Sequence, residues 1–221
     1  MASPGKALTL KISEIFLSLQ GESSRVGLPT VFVRLTGCPL RCVWCDTAYA
    51  FAGGQTMSLP EILAEVTVAA RDVGRVCVTG GEPLAQPACL PLLSALCDAG
   101  HAVSLETSGA LDIGQVDARV ARVVDIKAPG SGESDRNHWQ NLALLTANDE
   151  LKFVLKDRSD YEWARQLIEV RQLAALCPLL FSPVDSELPA ATLADWLVAD
   201  RLPVRFQIQL HKVLWGKLRG R

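Results

Sequence analysis

Hydrophobic and polar positions along the chain follow two periods, one typical of β-strands and one typical of α-helices. Short runs rich in β-branched and aromatic residues, ending at glycine, proline or polar residues, predict strands. The predicted strands are Lys11–Ser18, Thr30–Thr36, Arg75–Thr79, Ala102–Gly109, Arg122–Lys127, Glu150–Leu155, Leu179–Pro183 and Val204–Leu210. Apolar residues that recur every three or four positions predict helices between several of these strands.

Capping signals place the beginnings of two predicted helices. Glu61 follows Ser58, and Glu162 follows Ser159, at the spacing of a capping box. Gly100 is typical of a residue just past a helix C-terminus. The predicted helices run from Ser58 to about Arg71, from after Pro83 to about Ala99, over 135–145, from Ser159 to about Leu173 and over 191–199.

Strands that alternate with helices favour a parallel sheet covered by helices, and right-handed crossovers make such a sheet curl. The sequence therefore predicts an α/β fold, an incomplete TIM-like barrel of about six parallel strands with outer helices. The stretch between Gly109 and Arg122 is too short for a long covering helix, so we expect one abbreviated crossover. The length fits a single domain over 1–221, on which the N-terminal strand and the C-terminal residues 213–216 pack, followed by a basic tail.

Chemistry in such folds gathers where the parallel strands end. One rim of the predicted sheet carries Cys38–Cys45, Gly80–Pro83, Glu106–Ser108, Asp125–Lys127, Ser182–Pro183 and His211. Along the last predicted strand and the residue after it, one face carries Arg205, Gln207, Gln209 and His211, which predicts a wet cavity rather than a filled core. This parity favours a ligand contact for His211. For Lys152, a place in the cavity and a place on a solvated face are both open.

Composition limits the partners. A net charge of −2 provides too little positive charge for sequence-independent binding to nucleic acid, so we expect a small-molecule partner. No apolar run approaches the ~18–20 residues that span a bilayer. The stretch Met1–Lys6 lacks the charged-then-apolar pattern of a secretory signal. We therefore expect no membrane contact and a cytoplasmic location.

Three of the seven cysteines, Cys38, Cys42 and Cys45, lie in one short loop. Three thiolates can converge on one metal centre, and a cubane iron–sulfur cluster takes four such ligands. One iron would then be open to a substrate or cofactor, which is typical of a catalytic site. The alternative is a zinc-stabilised binding module with Asp46 or a histidine as the fourth ligand. The other cysteines lie in apolar surroundings and are predicted core residues.

Arg34 lies in a strand of apolar residues, where an unpaired guanidinium would be costly. Either an intramolecular carboxylate or a bound anionic ligand must pair with it, and the sequence leaves both open. The Gly80-Gly81 pair before Glu82 lets the backbone approach a ligand closely, although a plain turn explains it equally well.

The loop Cys38-xxx-Cys42-xx-Cys45 after one strand and Gly80-Gly81-Glu82-Pro83 after the next resemble the motifs of radical S-adenosylmethionine (SAM) enzymes. The resemblance implies that the cysteines hold a [4Fe-4S] cluster and that SAM binds the fourth iron. It also implies an external electron donor such as flavodoxin or ferredoxin. The residues that it assigns to SAM are Gly81, Glu106, Ser108, Asp125, Ile126, Lys127 and Ser182.

Within that superfamily the whole chain resembles the 7-carboxy-7-deazaguanine synthases, lyases of queuosine biosynthesis. The segments that carry this closer resemblance are Glu14–Phe16, Leu19–Glu22, Gly37–Cys38, Cys45–Thr47, Glu106–Gly109 and Gln209–Lys212. It implies 6-carboxy-5,6,7,8-tetrahydropterin as the substrate, a Mg2+ ion on Thr47 and a homodimer. The substrate contacts that it implies are Leu19, Gln20, Gly21, Glu22, Arg34, Thr79 and His211. The resemblance assigns no residue as a general base.

Activating enzymes of glycyl-radical enzymes are the nearest enzymatic alternative, because they share the cysteine spacing and the small size. They act on a protein partner rather than on a small molecule. They do not account for Leu19–Glu22 or Gln209–His211, so the sequence favours the synthases.

Overall fold

One β-sheet positions most of the predicted site residues. The computed structural model describes residues 8–185, 187–216 and 218–221. Lys217 of the basic tail and the stretch Met1–Lys6, in which we expect no secretory signal, lie outside the described residues. The strands are β1 (Thr9–Leu19), β2 (Pro29–Leu35), β3 (Gln55–Ser58), β4 (Arg75–Gly80), β5 (Ala102–Thr107), β6 (Ala121–Ile126), β7 (Glu150–Leu155), β8 (Leu179–Pro183) and β9 (Arg205–Phe206). The α-helices are α1 (Leu59–Ala70), α2 (Cys89–Asp98), α3 (Arg158–Val170), α4 (Ala190–Asp200) and α5 (Leu210–Trp215). None of these helices is long and apolar enough to cross a membrane.

The strand order across the sheet is β3-β1-β2-β4-β5-β6-β7-β8-β9. Each neighbouring pair from β2 to β9 is parallel, whereas β1 is antiparallel to both β2 and β3. A short turn suffices between antiparallel β1 and β2, while the parallel pairs need crossover connections. The predicted α/β fold with a mostly parallel sheet is confirmed, and the short edge strand β3 is an addition to the prediction.

The two faces of the sheet differ in chemistry because successive strand residues point to opposite sides. Apolar residues such as Val33, Val78 and Leu105 belong to the core cluster, which also includes residues of α1 to α4. The alternate positions form a polar inner face, which carries Arg34, Thr79, Glu106, Asp125 and Lys152. The covered face therefore supplies the packing, and the inner face is left for binding.

The two predicted capping boxes differ in outcome. At α1 the prediction is confirmed, because Ser58 N–H donates to Glu61 Oε2 at 2.7 Å in a complete capping box. At α3 the predicted cap Ser159 is wrong, because the N-cap is Asp157, two residues earlier, and the helix begins at Arg158. The Asp157 carboxylate accepts a hydrogen bond from Asp160 N at 3.0 Å.

The helix predicted over 135–145 is wrong, since this segment forms 3₁₀ turns at Ser134–Arg136 and Trp139–Leu144. The Asn137 amide accepts from Lys127 N and donates to Lys127 O, both at 2.9 Å. The Asn141 amide donates to Leu111 O at 2.8 Å. Asparagine side chains that bond to distant backbone groups compete with a continuous helix.

The strand predicted over Val204–Leu210 is also wrong over most of its length, because β9 ends at Phe206 and α5 begins at Leu210. The Leu210 N–H donates to Gly21 O at 3.0 Å, in the turn after β1, instead of continuing a ladder with β8. The side chains of Val213 and Leu214 are 66% and 48% exposed, so their predicted packing is wrong.

We predict that Asp157→Ala lowers the free energy of unfolding by about 1 kcal/mol, because α3 loses its N-cap bond. The loss should lower the melting temperature by about 2–4 °C in a chain of this size. Urea unfolding followed by circular dichroism measures it. Ser159→Ala is the matched control and should be neutral within about 0.5 kcal/mol. An equal loss in both variants would contradict the assignment of the cap.

Candidate active site

The cysteine loop follows β2, and the protein backbone sets its shape. The Gly37 N–H donates to Ala50 O at 2.7 Å, which closes the segment that contains the loop. The thiols of Cys38, Cys42 and Cys45 are half-buried. The loop thus places all three thiols at the carboxyl end of a parallel strand, as predicted.

The three thiols act on one another electrostatically. Partial burial is the main cause that raises the pKa of the Cys38 and Cys42 thiols; Cys45 raises both values further, and Lys127 lowers both. The three thiols on one loop and Lys127 therefore lie within range of one another's charge. In the described ranges, no three Cys, His, Asp or Glu side chains lie close enough to ligate a single ion. A cubane cluster does not require this, because each thiolate bonds a different iron. Three free thiols on one loop therefore have the donor chemistry of a [4Fe-4S] site.

Gly81 lets the turn after β4 lie directly against the cysteine loop. The Glu82 N–H donates to Gly37 O at 2.8 Å, which holds the two segments together. A Cβ on Gly81 would clash with Gly37 O and would lie 2.8 Å from the Cβ of Cys38. The absence of a side chain at Gly81 therefore permits the approach of the two loops.

Glu82 joins the loops after β4 and β5. Its carboxylate is fully buried and accepts hydrogen bonds from Leu84 N at 3.0 Å, Thr107 Oγ1 at 2.9 Å and Ser108 N at 2.7 Å, and from the Ser108 hydroxyl. A buried carboxylate requires such donors. Glu82 is not among the site residues predicted from the sequence, although its position between Gly81 and Pro83 was the available signal.

A chain of four charged side chains crosses the inner face. Lys152 Nζ lies 2.6 Å from Glu22 Oε2 and 3.5 Å from Asp125 Oδ2. Lys127 Nζ lies 3.0 Å from the same Asp125 oxygen. Burial alone would raise the pKa of Glu22, but Lys152 and Gln209 lower it below its ordinary value. Lys152 therefore lies on the paired inner face and not on a solvated face, and it links the turn after β1 to β6 and β7.

Glu106 lies with residues that the sequence assigned to the substrate. Its carboxylate accepts hydrogen bonds from Gln20 Nε2 at 3.1 Å and from Thr79 Oγ1 at 2.9 Å. Glu106 itself was assigned to SAM. The structure thus brings the turn after β1, the end of β4 and the end of β5 together around one carboxylate.

The C-terminal residues cover the turn after β1. Gln209 Nε2 donates to Glu22 Oε1 at 2.7 Å and to Asp46 Oδ2 at 3.2 Å. His211 lies against Gly21, and a Cβ added to Gly21 would clash with the Nδ1 atom of His211. His211 therefore reaches the predicted site from α5 and not from a strand. Gln209 and Asp46 were missed as site residues, although both lie in segments that carried the resemblance.

Two predicted ligand contacts already have protein partners. Arg34 Nε donates to Glu14 Oε1 at 2.7 Å, so the intramolecular salt bridge that the sequence left open is present. Thr47 Oγ1 donates to Asp46 Oδ1 at 2.8 Å. Neither bond uses all of the polar groups of the side chain.

The SAM assignments at β6 and β8 fall into two kinds. Asp125 Oδ1 and Ser182 Oγ are buried and have no hydrogen-bond partner among the described residues, as expected of groups that meet a ligand. Ile126 belongs to the hydrophobic core, so only its backbone is left for such a contact. Leu19 is the last residue of β1, at the entrance to the turn with Gln20.

We predict that Gly81→Ala strongly lowers cluster loading, because the new Cβ would push the turn after β4 away from Cys38. Overpacking of this kind costs about 1–3 kcal/mol. The measurement is iron and sulfide per chain after anaerobic reconstitution. Gly74→Ala is the matched control, since a Cβ there meets no atom within 4 Å. Equal loading of both variants would contradict the close approach.

We predict that Lys152→Met destabilises the protein by about 3 kcal/mol, because it leaves Glu22 and Asp125 without a shared cation. Urea unfolding at neutral pH measures the loss. Adding Glu22→Gln to Lys152→Met should recover part of it by removing one unpaired charge. A loss below about 1 kcal/mol in the single variant would show that the ion pair behaves as a surface pair.

Comparisons with known proteins agree with this geometry. Residues 32–172 match the model of the Radical SAM superfamily. The chain is 46% identical to the 7-carboxy-7-deazaguanine synthase of Chlorobaculum tepidum, covering 94% of each chain. It is 43% identical to that of Koribacter versatilis, covering 93% of this chain and 97% of the relative.

Solved structures show the same fold. The crystal structure of QueE from Escherichia coli aligns with a TM-score of 0.76 at 23% identity, covering 92% of this chain and 95% of that chain. Streptococcus suis SuiB bound to the precursor peptide SuiA aligns with a TM-score of 0.57 at 15% identity, covering 81% of this chain and 48% of that chain. Membership in the superfamily implies a [4Fe-4S] cluster and SAM, in agreement with the three thiols. The chain belongs to the radical SAM superfamily and, within it, to the 7-carboxy-7-deazaguanine synthases, lyases of 7-deazapurine biosynthesis.

Proposed function

We propose that the protein converts 6-carboxy-5,6,7,8-tetrahydropterin to 7-carboxy-7-deazaguanine with loss of ammonia. One observation carries this proposal: Gln20, Thr79 and Glu106 form a hydrogen-bonded group on the same face and rim as the cysteine loop. A pterin presents several ring N–H and amino donors, which suit a carboxylate with neighbouring amide and hydroxyl groups. The name of the relatives supports the same reaction.

The residues for the cofactors lie at the ends of the strands. Cys38, Cys42 and Cys45 would hold the cluster. The groups that would hold SAM include Gly81 and the unpartnered atoms Asp125 Oδ1 and Ser182 Oγ. When bound, the reduced cluster and SAM supply a radical that removes a hydrogen atom from the substrate. The protein supplies orientation and excludes competing reactions.

The groups on the substrate side have distinct tasks in this proposal. Arg34 binds the substrate carboxylate, since guanidinium groups suit planar anions. Gln20, Thr79 and Glu106 orient the ring. Gly21 and His211 cover it from the side of the C-terminal residues, which excludes water. Glu22, held by Lys152 and Gln209, keeps this cover attached to the sheet.

Further partners belong to the proposal. We infer a Mg2+ ion on Thr47, because its hydroxyl is an oxygen donor beside the Asp46 carboxylate. We infer an electron donor such as flavodoxin or ferredoxin. Val43 in the cysteine loop is exposed, so a donor protein can contact the loop at this residue. An apolar groove between β1 and α1, lined by Ile15 and Val68, supports a homodimer.

The proposed domain spans 1–221, since one sheet contains all nine strands of the described residues and one core cluster includes residues of helices α1 to α4. We place the protein in the cytoplasm, because its seven cysteines suit a reducing compartment.

Anaerobic turnover tests the proposed reaction. The reconstituted protein is incubated with the carboxypterin, SAM, Mg2+ and a reductant, and the product is identified by mass spectrometry. We expect 7-carboxy-7-deazaguanine and ammonia in equal amounts. A protein that carries a full cluster and cleaves SAM but forms no deazaguanine would contradict the proposal.

We predict that Thr47→Ala weakens the stimulation of turnover by Mg2+ while iron and sulfide content stays unchanged. The reason is that the variant lacks the proposed hydroxyl ligand but keeps the cysteines. Turnover is measured over a Mg2+ titration. Thr67→Ala serves as the control, because its hydroxyl donates to Leu63 O on the surface of α1. An unaltered Mg2+ dependence in Thr47→Ala would refute the role.

A further inference from the structure

The Arg34 guanidinium is anchored at one edge and open at the other. Its Nε donates to Glu14 Oε1 at 2.7 Å, while no group in the described residues accepts a hydrogen bond from Nη1 or Nη2. The side chain is 17% exposed, and these two nitrogens are not among the buried atoms that lack a partner. The terminal fork of the guanidinium is therefore accessible.

Glu14 is itself held in place by Tyr49. The Tyr49 hydroxyl donates at 2.7 Å to Glu14 Oε1, the same oxygen that accepts from Arg34. Burial, followed by the bond to Glu14, raises the pKa of Tyr49 to about 12, so the hydroxyl is a donor at neutral pH. The Arg219 guanidinium covers the Tyr49 ring at 4.0 Å from its centroid. One oxygen of Glu14 thus joins a tyrosine on the 3₁₀ turn Ala48–Phe51 to an arginine on β2.

The open fork lies on the inner face of the sheet. Arg34 is the register partner of Thr79, whose hydroxyl donates to Glu106. The charge of Glu106 is among the causes that raise the pKa of Arg34. The fork is therefore next to the group proposed to orient the pterin ring.

We propose that Glu14 and Tyr49 are positioning residues that hold Arg34 by its Nε, so that Nη1 and Nη2 receive the pterin carboxylate as a bidentate pair. This inference rests on the proposed function and deepens it. Two parallel N–H bonds match the geometry of a carboxylate. An arginine fixed in advance loses less side-chain entropy on binding than a free one does.

Variants of Glu14 distinguish the effect of its hydrogen bonds from the effect of its charge, because one Glu14 oxygen accepts both bonds. An amide oxygen at the same place can accept from both Arg34 Nε and the Tyr49 hydroxyl, so Glu14→Gln keeps both bonds and removes the charge. Glu14→Ala removes both bonds. Tyr49→Phe keeps the ring and removes only the hydroxyl that holds Glu14.

The test compares two pterins by anaerobic calorimetry: 6-carboxytetrahydropterin and tetrahydropterin without the carboxyl group. We expect the unaltered protein to prefer the carboxylated ligand. Tyr49→Phe should lower that preference roughly fivefold and Glu14→Ala roughly tenfold, the effect of one or two ordinary hydrogen bonds. Glu14→Gln should keep it within about twofold.

Tyr161→Phe is the matched control, because Tyr49 and Tyr161 are the two tyrosines of the chain. The Tyr161 hydroxyl donates to Asp200 Oδ2 at 2.7 Å and to Trp196 O at 3.1 Å, on α4. Like Tyr49→Phe, this variant loses a hydrogen bond from a tyrosine hydroxyl to a carboxylate, but it does so in the core beneath α4. Its preference for the carboxylated ligand should therefore equal that of the unaltered protein.

The outcomes distinguish this inference from the proposed function. Equal losses of affinity for both pterins in Tyr49→Phe and Glu14→Ala would overturn the inference, as would an unaltered protein that does not prefer the carboxylated ligand. A preference that depends on Tyr49 and Glu14, in a protein that forms no deazaguanine, would support the inference and overturn the proposed reaction.

Discussion

Lys152 allows the parallel sheet to keep a charged inner face. Its ammonium group lies between Glu22 and Asp125, and Lys127 supplies the second positive charge, so the partly buried group is neutral as a whole. Charges removed from water persist only when they are paired. Because Glu22 belongs to the turn after β1 and Asp125 to the end of β6, one cation joins the proposed substrate side to the proposed cofactor side.

The same requirement explains other charged groups that are fully or partly buried. Glu82 accepts hydrogen bonds from the loops after β4 and β5, and it thereby fixes the rim beside the cysteine loop. Arg34 is paired with Glu14 on the neighbouring antiparallel strand. The bonds of Glu82 hold the two loops, whereas the bond of Arg34 through Nε holds its side chain and leaves Nη1 and Nη2 open. The site is therefore preorganised by the pairs that make burial of its charges possible.

Local patterns predicted most strands and the first helix because their causes are local. The Ser58 and Glu61 capping box needs only residues three positions apart, and β2 follows from its own β-branched and aromatic residues. Predictions failed where distant groups competed. Asn137 and Asn141 bond to neighbouring loops and replace a helix by 3₁₀ turns, and the residues after β9 turn toward Gly21 instead of extending the sheet.

The sequence by itself determined the cysteine spacing, the Gly-Gly-Glu-Pro turn and the strand polarity that gathers both motifs at one rim. These features depend on residues close together in the chain. Only the tertiary structure decided the partner of Arg34, the direction of Lys152 and the place of Glu106 among the predicted substrate contacts. Lys152 and Glu22 are 130 positions apart, and Gln209 and Glu22 are 187 apart. Pairing between such residues depends on how the chain folds back on itself, and no local pattern of hydrophobic and polar positions encodes it.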